Sequence, residues 1–510
     1  MKTQAVDSGI GTGAPTSDKF SYARRTKQEA QVNDHNPSPF ERLSTLLETQ
    51  KTHLAIHGAP SASERKDRLT RLIDLIVDSQ DDIIDAISAD FGNRSRHETI
   101  AADIVGTLKE IKFARKNLDR WMRPEKASPE FPLGLLGARA QIHYQPLGVI
   151  GIISPWNFPI ILSIGPMAEA FAAGNSVMLK PSEYTPRTSD LMKSLLEAKF
   201  APHEVAIATG GVEVAQAFTG LPFNHLLFTG ASTIGPHVLR AAAENMVPTT
   251  LELGGKNPAF IAPSADMEIT VARLAAGKIF NAGQVCLAPD YILVPRASME
   301  EFATAFATKV AESLPTLSGN PDCTHIISDR QFERLKGLVE QARSAGARIV
   351  EVNPANEDLS ASNEKILPLT LIIDADPELE AMKDEIFGPI LPILPYDSLD
   401  EAIAFANDRA RPLATYVFAR DKAEQQKVVE NTISGGATIN DTITHMTQMS
   451  LPFGGVGASG MGSYHGIHGF KRFSHAKAVF KQINMDGVFK ALRPPYGKKF
   501  FKVIGPFLKK

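Results

Sequence analysis

Between Glu64 and Trp121 the apolar positions recur at helical spacing. In RLTRLIDLIVDSQDDIIDAISADF, Leu72, Ile73, Ile76, Ile83, Ile84 and Ile87 fall near one stripe. ETIAADIVGTLKEIKFARKNLDRW continues as a second helical stretch. Past Arg123 the period changes. AQIHYQPLG alternates, with Ile142 and Tyr144 on one side, as in a strand or hairpin arm. Short continuous apolar runs follow: VIGII, SVML, EVAIA, HLLF, TTLEL and PAFIA. Helix candidates such as RTSDLMKSLLEAKF and GPHVLRAAAENM separate them. Strands buried on both faces have this character, so a parallel sheet covered by helices is predicted. A second strand–helix series begins after Glu252 with YILV and the helix around MEEFATAFATKVAESL. QFERLKGLVEQARSAG, LTLII, LPIL, EAIAFAN, TYVFA and ATIN continue it. The expectation is an α/β protein with two doubly wound, Rossmann-like units, no solenoid repeat, and ligands at the carboxyl ends of the strands.

Length agrees with more than one core, since 510 residues exceed the usual domain of about 100–200. A formal net charge of -3 gives no support for nucleic-acid binding. The only cysteines are Cys286 and Cys323, too few for a disulfide scaffold, and a reducing compartment fits. The opening MKTQAVDSGIGTGAPTSDKF lacks an apolar signal core of about 7–15 residues. The most apolar stretch, Leu147 to Leu179, is interrupted by Pro155, Asn157, Pro159, Pro166 and Gly174, and reads as buried strands joined by turns. A soluble, cytoplasmic protein is expected, with residues 1–38 as a mobile polar arm.

Three segments carry candidate chemistry. In Asn281-Ala-Gly-Gln-Val-Cys286-Leu-Ala-Pro-Asp290, Gly283 lets the backbone turn sharply and leaves an approach to the thiol. A cysteine alone is more often a small buried hydrophobe, which is the reading for Cys323. In Leu251-Glu252-Leu253-Gly254-Gly255-Lys256-Asn257-Pro258, a glutamate between leucines at a strand end suits a base whose pKa burial has raised. A strand-edge carboxylate capping the Gly-Gly turn is its plain alternative. In Pro155-Trp156-Asn157-Phe158-Pro159, the Asn157 amide can donate to a developing oxyanion, or satisfy a local turn.

PWNFP, KPSE at 180–183, FTGASTIG at 228–235, LELGGKNP, GQVCLAPD, EIFGP at 385–389 and PFGGVGASGMG at 452–462 occur in that order. Together they resemble the aldehyde dehydrogenase superfamily over about residues 60–475. CLAPDY and SLPFGGVGASGMGSYHG resemble its class-three branch. NRSRHET, INDTITH and RPPYGK are similar to bacterial coniferyl aldehyde dehydrogenases.

The resemblance implies the aldehyde dehydrogenase fold: two doubly wound domains plus a bridging β-arm. It places the cofactor domain at 39–124 and 146–252, the catalytic domain at 253–474, an oligomerisation arm at 125–145 and 475–492, and a basic, apolar tail at 493–510. Cys286 is then the nucleophile, Asn157 the oxyanion donor and Glu252 the base, with Glu385 as a second candidate base or a nicotinamide-ribose contact. The usual GxGxxG fingerprint is absent. Gly230-Ala-Ser-Thr-Ile-Gly235, between HLLF and a helix, takes its place, with Ser232 beside a residue, Ala231, where relatives often carry Ser or Asn. Lys180 and Glu183 resemble the adenosine-ribose contacts and favour NAD over NADP. Phe387 is expected against the nicotinamide ribose or in the core. Lys256 and Asn257 are expected to be structural, and Asn440 and His445 to line the site or satisfy the fold. His465 and His468 lack partners at metal-ligand spacing, so no metal is expected. The implied substrate is a hydrophobic aldehyde, aromatic of the coniferyl type or long-chain aliphatic. Glu252 argues against a CoA-acylating relative. A homodimer is implied, with weak membrane-surface contact by the tail as a minor alternative.

Overall fold

The computed structural model describes residues 37–131, 133–361, 364–487 and 489–509. The arm expected at 1–38 lies almost wholly outside the described residues. In chain order the strands are β1 Glu125–Ala127, β2 Arg139–Pro146, β3 Val149–Ile153, β4 Ser176–Lys180, β5 Val205–Ile207, β6 His225–Thr229, β7 Thr249–Glu252 and β8 Pro258–Ile261. They continue with β9 Tyr291–Pro295, β10 Arg348–Val352, β11 Leu369–Ile373, β12 Ile390–Tyr396, β13 Ala414–Phe418, β14 Gly436–Ile439, β15 Gly460–Met461 and β16 Ser474–Lys481.

They form three sheets. A six-stranded sheet has the order β15-β7-β6-β3-β4-β5, parallel except where β15 runs antiparallel on β7. A seven-stranded sheet has the order β10-β11-β12-β9-β8-β13-β14, parallel except at its β10 edge. The strands of these sheets are mostly buried along their length (β3, β4, β6, β11 and β13 completely), because helices cover both faces. A third, antiparallel sheet, β1-β2-β16, stands with its strands half exposed. The α/β class, the two doubly wound sheets and the extra β-arm agree with the reading from sequence.

Four details differ. PAFIA, read with the first strand series, is β8 of the seven-stranded sheet. Gly460 and Met461, placed by sequence in the 253–474 unit, pair back to Glu252 and Leu251 of the six-stranded sheet. The apolar stretch after β3 is not only strands and turns. It holds the helix Ile161–Ala173, every residue of which is buried and which contains Pro166. A helix apolar on all sides has no stripe for a periodicity argument to find. The second helical stretch is not uniform either: Ile100–Gly106 is a π-helical segment before the helix Thr107–Trp121. Among the described residues no helix is long and apolar enough to cross a membrane. The tail carries a short helix, Lys498–Ile504, followed by a 3-10 turn, Gly505–Leu508, with Phe501, Phe507 and Leu508 exposed.

Candidate active site

Glu252 ends β7, and the chain then turns through Gly254 and Gly255, whose φ of 156° suits glycine. The missing side chain at Gly254 matters more. A Cβ there would lie 1.9 Å from Glu385 Oε2, so only glycine lets that carboxylate approach. The two glutamates singled out by sequence are thus brought to the same turn.

The cysteine loop follows the helix Met267–Ile279. Asn281 and Ala282 both take φ of 51°, and Gly283 follows at 70° with its α-carbon against the Gly388 carbonyl. Three successive left-handed residues are costly and survive only where the surroundings fix them. Here they do. Gln284 Nε2 donates to the carbonyls of Asn281 (3.1 Å) and His325 (3.0 Å), while its Oε1 accepts from Ile327 N–H (3.0 Å). Asn257 Nδ2 donates to the carbonyls of Cys286 (2.7 Å) and Ala288 (3.0 Å). Lys256 pairs with Asp290 and donates to the Ala381 carbonyl at 2.7 Å. Lys256 and Asn257 therefore hold the Cys286 loop as well as the turn behind Glu252.

Asn157 is buried, and its Nδ2 donates to the Gln284 carbonyl at 3.2 Å, two residues before Cys286. Its own carbonyl accepts from Arg94 Nη1 (2.8 Å) and Asn281 Nδ2 (3.2 Å). Arg94 is fully enclosed, faces Asp103 at 3.2 Å and lies over the Phe158 ring at 4.7 Å. Asp103, within the π-helical segment, accepts from the N–H groups of Ile160 and Ile161 at 3.0 and 3.2 Å. Glu98 accepts from Asn281 N–H at 3.0 Å. These supporting charges were missed as functional residues. The only signal for Arg94 and Glu98 was the NRSRHET motif; Asp103 looked like one more polar position on a helix.

The electrostatics favour neutral groups. Cys286 keeps some exposure as a residue, but its thiol is enclosed, and burial pushes its pKa up to about 12. Glu385 and then Glu252 add to that rise, while the backbone N–H groups of Cys286 and Leu287 oppose it. Burial also holds Glu252 well above the usual carboxylate range, with Arg472 the opposing charge, and neither Glu252 oxygen has a hydrogen-bond partner. The Glu385 carboxylate is enclosed although the residue is half-buried. Burial, with Asp290 adding, raises it to about 8, and the Gly255 N–H opposes the rise.

The cofactor candidates lie at the carboxyl ends of the six-stranded sheet, where its order reverses on either side of β3. Lys180, the last residue of β4, is buried and donates to Glu183 at 2.7 Å. Gly230 N–H donates to the Glu252 carbonyl at 3.0 Å, so the turn after β6 starts beside the glutamate. Ser232 is exposed in that turn, and Gly235 opens the helix Gly235–Ala243. Thr229 Oγ1, at the end of β6, is buried without a partner. A buried cation with its carboxylate, an orphan hydroxyl and a helix N-terminus at one sheet edge fit a dinucleotide. Phe387 has φ of 51° and meets Trp156 edge-on at 5.3 Å, so its ring completes an aromatic wall.

Asn440 bonds both ways to Ala419, and His445 Nδ1 lies 2.8 Å from Thr438 Oγ1 while its Nε2 is buried without a partner. Cys323 is a free, buried thiol in a small cluster with Leu317 and Ile366. Among the described residues no group of His, Cys, Asp or Glu is arranged to hold a metal ion.

A doubly wound sheet thus brings a carboxylate and an amide to the loop of an enclosed cysteine, and the sequence comparisons name the class of protein. Residues 48–479 match the aldehyde dehydrogenase family, and the chain belongs to that family as an NAD(P)-dependent aldehyde dehydrogenase. It is 48% identical over 471 residues to a protein of Caulobacter vibrioides named probable coniferyl aldehyde dehydrogenase, covering 92% of this chain and 97% of that one. It is 44% identical to the coniferyl aldehyde dehydrogenase of a Pseudomonas species, with the same shares covered. Among solved structures, the substrate-bound AldH of Staphylococcus aureus superposes with a TM-score of 0.85 at 37% identity, covering 92% of this chain and 99% of that one. A Mycobacterium tuberculosis aldehyde dehydrogenase complexed with NAD+ gives 0.78 at 27% identity, covering 88% and 91%.

Proposed function

We propose that the enzyme oxidises a hydrophobic aromatic aldehyde of the coniferyl type to its carboxylic acid through a covalent intermediate on Cys286. One observation carries the reading: the unpartnered, buried Glu252 carboxyl and the Asn157 amide converge on the loop that holds an enclosed thiol. The likeness to two coniferyl aldehyde dehydrogenases supports the substrate class. Trp156 supplies an apolar ring surface suited to an aromatic aldehyde.

Glu252, in its carboxylate form, takes the Cys286 proton as the sulfur bonds to the aldehyde carbon, and it releases that proton to solvent before the water step. The oxyanion of the resulting thiohemiacetal takes hydrogen bonds from the Asn157 amide and the Cys286 N–H. Bound at the β4–β6 edge, NAD(P) supplies the hydride acceptor. Cys286 is then left as a thioester. Glu252, free of hydrogen-bond partners and so able to turn, removes a proton from water, which attacks the thioester carbon and frees the acid. Glu385, tethered by the Gly255 N–H, is assigned to the nicotinamide-ribose side with Phe387.

Lys180, Glu183, Gly230, Ser232 and Gly235 are assigned to the cofactor, with NAD preferred because Glu183 would repel a 2′-phosphate. On this reading 39–124 and 146–252 form the cofactor domain and 253–474 the catalytic domain, which lends β15 to its neighbour. Sheet β1-β2-β16 joins two copies in a homodimer, since β16 pairs on one side only. A cytoplasmic location belongs to the same reading.

The test is reduction of NAD and of NADP over a panel of cinnamyl, aliphatic and short polar aldehydes, with and without CoA, alongside Cys286→Ser. Coniferyl aldehyde should be among the best substrates and the serine variant inactive. Preference for short semialdehydes, or a CoA-dependent thioester product, would defeat the assignment.

A further inference from the structure

The turn that carries Glu385 and Phe387 is fastened from behind by two charged side chains to which the chemistry above gives no part. Ile386, between them, is buried in the same apolar cluster as Leu335 and Met382. Its N–H donates to Asp290 Oδ1 at 2.9 Å, and its carbonyl accepts from Arg334 Nη2 at 2.5 Å. The N–H belongs to the peptide plane shared with Glu385, and the carbonyl to the plane shared with Phe387. Peptide planes are rigid, so fixing both leaves little freedom on either side of Ile386. Phe387 is held at φ of 51°, a value that persists only where neighbours impose it.

The two anchors come from different places. Asp290 is buried and ends the Cys286 loop. Its Oδ2 pairs with Lys256, whose Nζ also donates to the Asp384 carbonyl at 3.1 Å. The Asp290 N–H donates to the Asn257 carbonyl at 2.9 Å. One residue therefore ties the Cys286 loop and the turn after Glu252 to the Glu385 turn. Arg334 stands exposed on the helix Asp329–Ser344, its Nε donating to Gln331 Oε1 at 2.8 Å. That helix lies close against the turn, since a Cβ on Gly388 would sit 2.5 Å from Leu335 Cδ2. The Cys286 loop meets the turn backbone to backbone: a Cβ on Gly283 would sit 2.5 Å from the Gly388 carbonyl oxygen.

Reacting atoms must be held within about 3–3.5 Å, and a misplacement of about 1 Å can cost about 100-fold in rate. Hydride transfer makes that demand between a carbon on Cys286 and the nicotinamide ring. Water attack on the thioester makes no such demand on the Glu385 turn. An aspartate whose backbone belongs to the donor's loop and whose carboxylate fixes the acceptor's turn sets the spacing directly.

We propose that Asp290 and Arg334 are positioning residues for hydride transfer. Through the two backbone groups of Ile386 they aim Glu385 and Phe387 at the nicotinamide half of the cofactor and hold that half at a set distance from Cys286. The inference rests on the assignment of Glu385 and Phe387 to the nicotinamide side above. Both residues act through the turn and not on the aldehyde or the cofactor.

The test compares the full-length enzyme with Arg334→Met, Arg334→Lys and Asp290→Asn in two assays. Rapid mixing with coniferyl aldehyde and NAD reads hydride transfer as first-turnover NADH. Hydrolysis of p-nitrophenyl acetate without cofactor reads acylation and deacylation of Cys286, with no hydride moved. Arg334→Met should slow first turnover by about 10- to 100-fold and keep ester hydrolysis within about twofold of the parent. Deuterium on the aldehyde carbon should then slow its steady-state turnover more than the parent's, because hydride transfer has become the slow step. Arg334→Lys, which keeps a donor, should recover part of the loss, and Asp290→Asn should lose more of first turnover than of ester hydrolysis. Equal falls in the two assays for Arg334→Met, or an unchanged first turnover, would overturn the proposal. Thermal unfolding checks each variant, and if Asp290→Asn does not fold, the exposed Arg334 decides. Glu385→Gln is measured beside them. Loss of its ester hydrolysis with first turnover intact would defeat the assignment of Glu385 itself, and the positioning role would fall with it.

Discussion

Arg94→Met probes the support of Asn157, the proposed oxyanion donor. Arg94 has no exposed side-chain surface, faces Asp103 at 3.2 Å and fixes the Asn157 carbonyl at 2.8 Å. Removing one partner of a buried ion pair costs about 3–5 kcal/mol. Burial already raises the Asp103 pKa, so Asp103 takes up a proton and does not remain as a bare anion; the cost should fall near about 3 kcal/mol. Catalysis should suffer separately. The Asn157 carbonyl would keep only Asn281 Nδ2, at 3.2 Å, so the amide would lose its aim. Full loss of such a donor costs about 10²–10³ in kcat, and misalignment should cost about 10- to 100-fold in kcat/KM, or about 1.4–2.7 kcal/mol. Urea unfolding followed by circular dichroism reads the first term and steady-state kinetics the second. Adding Asp103→Asn should recover part of the stability, since it removes the cost of protonating Asp103 and keeps an acceptor for the Ile160 and Ile161 N–H groups, but none of the activity. Stability within about 1 kcal/mol of the parent together with kcat/KM within about threefold would refute the reasoning.

Because the Cys286 pKa is raised to about 12, the thiolate fraction of the cofactor-free enzyme should grow about tenfold per pH unit throughout the neutral range. Iodoacetamide inactivation should therefore climb without levelling from about pH 6 to 9, and a plateau below about pH 8 would contradict it. Glu183→Gln should raise the NADP-to-NAD ratio of kcat/KM by about tenfold, because it removes the repulsive carboxylate and frees Lys180, now 2.7 Å from it, to meet a phosphate. A ratio unchanged within about twofold would remove Glu183 from the cofactor site.

What the chain discloses by itself follows from how local each signal is. The parallel strands were legible because burial on both faces turns them into unbroken apolar runs. The helix Ile161–Ala173 was not, for the same reason: buried on every side, it looks like more strand. PAFIA could not be assigned to a sheet, since membership is decided by pairing with β9 and β13, far away in sequence. Cys286, Glu252 and Asn157 were only candidates in their local contexts, and their expected roles came from the family resemblance of the ordered motifs around them. Arg94, Asp103 and Glu98 were not among the candidates. Their importance depends on the Asn157 carbonyl and the Asn281 N–H, which only the fold brings to them. Lys256 and Asn257 were read as structural, but the sequence could not reveal that they hold the nucleophile loop, some 29 residues on in the Asn257–Cys286 contact.

The central claim is a thioester on Cys286 that Glu252 helps water to remove. Glu252→Gln should accumulate it. Mixed with coniferyl aldehyde and NAD, that variant should form about one NADH per active site, more slowly than the parent because Cys286 has lost its proton acceptor, and then stall, while peptide mass spectrometry finds a feruloyl group on Cys286. Sustained turnover with no adduct, or an adduct on Cys323 in its place, would contradict the account.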